Sequence, residues 1–193
     1  MKSDLKKIIF LIVLFYSFCL QAQNDTTLST ATISEKKWNF GIELDALPYA
    51  TGGYFAGAWI GKDQWRTRAL LADVNLPDFT TKTGFTNHHV RAYAVLLDHF
   101  LKKNWKGWWI GAGPVYWKSC IESESNNTQR NFENLLLNGS IGYNFKIYKN
   151  LYASPWAGMS CKIAGNDQFI LDNKSYQLPF LNPELSLKIG VFF

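Results

Sequence analysis

Beyond its first twenty residues the chain has no apolar run long enough to cross a membrane as a helix, which takes ~20 residues. It also has almost no apolar spacing of the three-and-four kind, so helical architectures are excluded. Cysteine is scarce, with three in 193 residues, and a disulfide-stapled scaffold is ruled out. Histidine is equally rare: His88 and His89 are adjacent and His99 stands apart. Two neighbours on a strand point to opposite faces, so they cannot share a metal ion, and nothing calls for a metal or a cofactor. The net charge of +5 comes from basic residues scattered singly or in short turns. Without a Lys/Arg stripe, nucleic acid is not an expected partner.

What is present begins with a leader. Lys2, Lys6 and Lys7 precede the run Ile8 to Tyr16, and Leu20-Gln21-Ala22-Gln23 follows. A basic, then apolar, then small-residue order predicts an export signal peptide over 1–22. Bulky Tyr16-Ser17-Phe18 argues against a lipoprotein cut before Cys19. A polar Thr/Ser-rich segment over 23–36 is expected to be flexible, leaving one domain over 37–193. With the leader removed, Cys120 and Cys161 remain. They fall two strands apart, roughly 9–10 Å, which favours two free thiols over a bridge.

The domain alternates. Trp38, Phe40, Ile42, Leu44 and Ala46 interleave with Asn39, Gly41, Glu43 and Asp45. Leu135, Leu137, Gly139, Ile141, Tyr143 and Phe145 interleave with polar residues in the same way, and so does 181–193. A period of two means strands with one apolar and one polar face. Five more strands are predicted near 53–61, 64–76, 88–101, 107–119 and 150–164, giving eight. In 107–119, Trp108, Ile110, Ala112, Pro114 and Tyr116 form one face; in 53–61 either face could be the apolar one. Short connections (61–64, 102–107, 146–150) alternate with connections at 48–52, 77–87, 120–130 and 165–176, mostly long and polar. That order predicts an all-β, eight-stranded, antiparallel up-and-down barrel, short turns at one end and long loops at the other.

A soluble barrel of the lipocalin kind would hide its apolar face inside. Here the polar set looks enclosed: Glu43, Asp45, Arg66, Arg68, Asp98, Lys162, Glu184 and Lys188 lie along the strands among glycines, serines and asparagines. Ions in so narrow an interior must pair. Counting from the strand ends places Glu43 beside Lys188, and Arg66 and Arg68 near Asp98. Aromatics gather near strand ends (Trp38, Trp65, Trp105, Trp108, Tyr116, Trp117, Tyr143, Tyr148, Tyr152), as the girdles of a transmembrane barrel do. Trp108 and Tyr116 are separated by roughly 20 Å of height, close to that of an apolar band.

The closing strand, with Leu185, Leu187, Ile189, Val191 and terminal Phe193 on one face, resembles the C-terminal signal strand of bacterial outer-membrane barrels. The whole domain resembles the small OmpA/OmpX-like transmembrane barrels. That resemblance implies location in the bacterial outer membrane and partners among its lipids and lipopolysaccharide. It also implies recognition of the last strand by the outer-membrane assembly machinery.

For function, eight strands argue against an open pore, and a structural or binding role is expected. Some barrels of this size modify lipid A, as deacylases or acyltransferases. His88 or His89 with Ser119, Ser160 or Asp73 could imitate such a site, though no motif matches those enzymes. The outer loops carry Phe79, Phe85, Phe169 and Ile170, suited to docking a partner or packing onto the barrel mouth.

Overall fold

The computed structural model describes residues 38–193 apart from Asn104, Asp167 and the side chain of Phe79. The expected signal peptide and the segment 23–36 lie outside the described residues. Among the described residues, no helix is long and apolar enough to cross a membrane. Eight strands close into a barrel: β1 (Asn39–Asp45), β2 (Tyr54–Lys62), β3 (Trp65–Asn75), β4 (Phe85–Phe100), β5 (Gly107–Ser123), β6 (Gln129–Tyr148), β7 (Leu151–Gly165) and β10 (Leu181–Phe192). Each neighbouring pair is antiparallel, and β1 meets β10 to complete the ring. A one-turn helix α1 (Ala46–Ala50) joins β1 to β2, its first turn capped by Asp45.

The wall is uneven. Strands lengthen from 7 residues in β1 to 20 in β6 and shorten again to 12 in β10. β5 and β6 therefore run through most of the predicted 120–130 loop, and the turn between them is only 124–128. The predicted 165–176 loop contains a hairpin of its own, β8 (Phe169–Leu171) and β9 (Lys174–Tyr176). Its two-residue turn, Asp172-Asn173, has positive φ at both positions, which suits the twist of a tight hairpin.

Closure corrects one register. Phe193 bonds to Phe40, not to the Trp38 level, so Lys188 lies opposite Asp45 and Glu43 opposite Gly190. The expected Glu43–Lys188 neighbours are thus offset by two residues.

The two faces are sorted. Phe40, Ile42, Leu44, Val95, Leu97, Ile110, Leu137, Ile141, Leu185 and Ile189 are exposed on the outer wall. Glu43, Asp45, Arg66, Arg68, Asp98 and Lys188 are buried inside. In β2 the apolar residues divide: Tyr54, Ala56, Ala58 and Ile60 point outward, Phe55 and Trp59 inward. Room inside comes from glycine. Four inward groups face a glycine across the strand pair: Trp59 opposite Gly41, Trp109 opposite Gly142, Tyr152 opposite Gly190, Asp98 opposite Gly111. A Cβ on Gly142 would collide with the Trp109 ring, and one on Gly190 would collide with Tyr152. These positions admit no side chain.

Three aromatics assigned to the girdles are inside instead. Tyr152 is buried among the ions, and Trp117 is buried in the apolar interior further up. Trp105, at φ 57° in the β4–β5 turn, folds against Trp59 and Phe100. Trp38, Trp65, Trp108 and Tyr148 are exposed on the outer wall at the short-turn end. Cys120 and Cys161 are free thiols.

Candidate functional site

The barrel interior has two layers. The lower one, toward the short turns, is an ion cluster. Arg66 Nε donates to Asp98 Oδ2 at 2.8 Å, and Arg68 donates to Asp98 Oδ1 at 2.8 Å and to Glu43 Oε1 at 3.1 Å. The Arg66 guanidinium also lies 3.6 Å from the second Glu43 oxygen. Two carboxylates and two guanidiniums therefore neutralise one another in a space sealed from solvent. Aromatic rings wall the cluster: Trp109 lies 4.7 Å from the Arg68 guanidinium, and Phe100 lies 5.0 Å from that of Arg66. Trp59 Nε1 donates to the Tyr152 hydroxyl, which in turn donates to Glu43, each at 2.9 Å. Such rings stabilise desolvated cations and fill the space around them.

A second group surrounds Lys188. Its ammonium is 3.5 Å from Asp45 and 3.4 Å from the Trp156 ring centre. Asp45 also accepts from Trp156 Nε1 at 2.8 Å and from Ser186. Glu184 accepts from Ser160 and from Asn138. Lys162, counted among the interior charges, is half-buried near the upper end of β7.

The upper layer is apolar. Val90, Leu96, Val115, Trp117, Leu136 and Leu178 form one buried cluster; Phe85, Ile121, Phe132 and Tyr176 form the next above it. Tyr176 comes from the β8–β9 hairpin and packs on Phe85, Phe132 and Phe169 with ring centres 5.1–5.3 Å apart. The hairpin therefore closes the mouth. Of the outer-loop apolar residues, Phe85 and Phe169 pack downward and Ile170 is exposed. The paired-charge interior expected from sequence accounts for the lower layer only. Paired carboxylates and guanidiniums could be foreseen from alternation; the hairpin lid could have been found from the Asp172-Asn173 turn pair between Phe169-Ile170-Leu171 and Tyr176.

The weak catalytic candidates separate. A bulge after Thr86, with Asn87 at φ 49°, turns His88 inward and His89 outward. His88 and Ser119 are both buried beneath the lid, yet neither His88 Nε2 nor Ser119 Oγ has a hydrogen-bond partner among the described residues. A nucleophile–base pair needs that bond and access for substrate. Outside, His89 contacts Asn75 at 2.9 Å and Asp73 at 3.3 Å. His99 is at the opposite end, against Trp65.

On the outer wall of β3–β6 the surface changes along the strands. Leu71, Tyr93, Tyr116 and Leu135 form one cross-strand row. Two residues further up the strands the row is Asp73, Arg91, Lys118 and Glu133; two further again it is Asn75, His89, Cys120 and Asn131. Two open cavities of about 350 and 710 Å³ lie on this upper wall and share His89 and Cys120.

No protein-family model matches the sequence, and no curated protein matches it. Among solved structures the chain is similar to the N-terminal β-barrel domain of Pseudomonas aeruginosa OprF, with 13% identity and a TM-score of 0.52, covering 82% of this chain and all of that one. It is also similar to a major outer membrane protein from Thermus thermophilus, with 11% identity and a TM-score of 0.49, covering 81% of this chain and all of that one. The first likeness shows the eight-stranded barrel fold. With an apolar outer wall around an ionised interior, this chain has the architecture of an eight-stranded transmembrane β-barrel.

Proposed function

We propose that this protein is a non-conducting outer-membrane barrel with a structural or binding role, acting through the β4–β6 wall and lid that rise beyond the lipid. The observation carrying this reading is the double seal. Arg66, Arg68, Glu43 and Asp98 close the lower interior with their aromatic walls, and Tyr176 and Leu178 close the upper one. Membrane lipid and lipopolysaccharide are its expected surroundings. The assembly machinery would recognise the last strand through Leu185, Leu187, Ile189 and Val191 on its outer face, and through the exposed Phe193 that follows it. Planar-bilayer recording of the refolded protein tests the seal. The expected result is no step above background, and long-lived openings in the unmodified protein would contradict it. Nothing in the geometry of His88 and Ser119 favours the lipid-modifying alternative.

A further inference from the structure

The row Asp73–Arg91–Lys118–Glu133 has an unusual order, because two cations sit directly across the β4–β5 pair from each other. Like charges directly opposed on a sheet repel. The acids at either end balance the row's formal charge, yet they leave its two cations side by side at the centre. Asp73 is buried beneath Arg91 and His89, with Arg91 Nε on its Oδ2 at 3.0 Å and His89 Nε2 on its Oδ1 at 3.3 Å. Glu133 is tied to Tyr116 and lies 3.9 Å from Lys118. Arg91 and Lys118 themselves are about half exposed, 49% and 54%. The centre of the row thus presents positive charge.

Its height matters as much as its sign. Immediately below are Tyr93 and Tyr116, and below them the outward residues Val95, Leu97, Ile110 and Leu137. From Trp108 to Lys118 is ten residues of β5, or roughly 25 Å of height at a tilt of ~40°. That is the thickness of an outer-membrane apolar band, so the cations lie where acyl chains end and headgroups begin. Above them the larger cavity has amides and carboxylates (Asn75, Asp78, Asn87, Glu122 and Gln129) in its wall, beside apolar residues such as Leu76. Glu122 accepts from Asn87 at 3.2 Å and from Gln129 at 3.4 Å, an array suited to sugar hydroxyls.

We propose that this outer wall is a docking site for a phosphorylated glycolipid of the surrounding leaflet. Its acyl chains lie along Tyr93, Tyr116 and the aliphatic band. A phosphate at the sugar–acyl junction lies between Arg91 and Lys118, and sugar occupies the cavity above. The inference rests on the outer-membrane reading, which fixes the long-strand end as the outer side.

The test is native mass spectrometry of the detergent-folded protein after exchange with three lipids: a phosphorylated lipid A, the same lipid A with its phosphates removed, and phosphatidylglycerol. The unmodified protein should retain the phosphorylated lipid A over the other two by about tenfold, the effect of one or two charge-assisted hydrogen bonds. The R91Q/K118Q double variant should lose that preference while keeping its folded, heat-modifiable mobility on gels. Equal retention of all three lipids by the folded protein would overturn the site. Retention of phosphatidylglycerol equal to that of the phosphorylated lipid A would also overturn it, since the wall would then select charge and not a glycolipid. Insertion into vesicles is measured alongside. A protein that inserts but shows no preference defeats only this inference; one that fails to insert defeats the outer-membrane reading as well.

Discussion

The lower and upper halves of this barrel obey opposite rules. Below the Tyr93–Tyr116 row, aliphatic side chains point out and ions point in; above it, Arg91, Lys118, His89 and Glu133 point out while Val90, Trp117, Phe132 and Ile121 are buried. One sheet carries both halves, so the backbone cannot be the cause. The solvent is. Where lipid surrounds the wall, burying an aliphatic group gains little, because acyl chains are as apolar as leucine. The interior there is left to groups that lipid rejects, and it holds together through ion pairs, hydrogen bonds and rings over guanidiniums. Where water surrounds the wall, hydrophobic burial operates again and the interior becomes an ordinary apolar core.

The contrast can be broken from either side. The largest effect is expected from Arg68→Leu, which leaves Glu43 and Asp98 with too little positive charge in a sealed space. Stripping one partner from a buried network costs about 3–5 kcal/mol, measurable by urea unfolding in lipid vesicles. A cost below about 1 kcal/mol would mean that water reaches the cluster. In the upper half, Ile121→Ala should cost about 2–4 kcal/mol through lost burial and a cavity. That loss should hardly change with salt, since no ion is removed.

A smaller effect, about 1–3 kcal/mol, is expected from Gly142→Ala, whose methyl would collide with the Trp109 ring. Shrinking that ring in the same chain, with Trp109→Leu, should recover part of the loss in the same unfolding assay. The smallest effect concerns the lid. Hydrogen bonds from Ser123, Asn126 and Thr128 hold the half-buried Asp172 carboxyl below its ordinary value of 3.8. The folded form therefore prefers the carboxylate, and this contribution is present above pH ~4 and fades as pH falls through the lower folded value. Amide hydrogen exchange across Phe169–Tyr176 should quicken in that acidic window and not above it, and Asp172→Asn should abolish the difference.

The lower half was legible in the sequence and the upper half largely was not. Alternation in 38–46, 134–145 and 181–193 marks strands surrounded by lipid, and one rule, apolar outward, finds the inward Glu43, Arg68 and Lys188. The same rule misreads 120–123 and 129–130 as loop. There the strands have left the lipid, and the inward Ile121 lies among polar neighbours. Aromatics mislead for a related reason. A ring near a strand end suits a membrane interface, but Tyr152 is inside because Gly190 leaves a hollow opposite it. Glycine facing an aromatic becomes informative only once the register is known. The Lys188 register missed by two because strand ends cannot be counted until Phe193 is seen to bond with Phe40. His88 and His89 were rightly separated by alternation, but the bulge that decides which one faces inward left no sequence signal beyond Asn87.

Spin labels at single cysteines along the outer face of β6 test the inversion most directly. With Cys120 and Cys161 replaced by serine and the protein in lipid vesicles, labels at Leu137 and Ile141 should collide with dissolved oxygen and be shielded from a water-soluble nickel reagent. A label at Asn131 should show the reverse, with the crossover between residues 133 and 135. Lipid exposure continuing through residue 131, or water exposure at residue 137, would contradict the account.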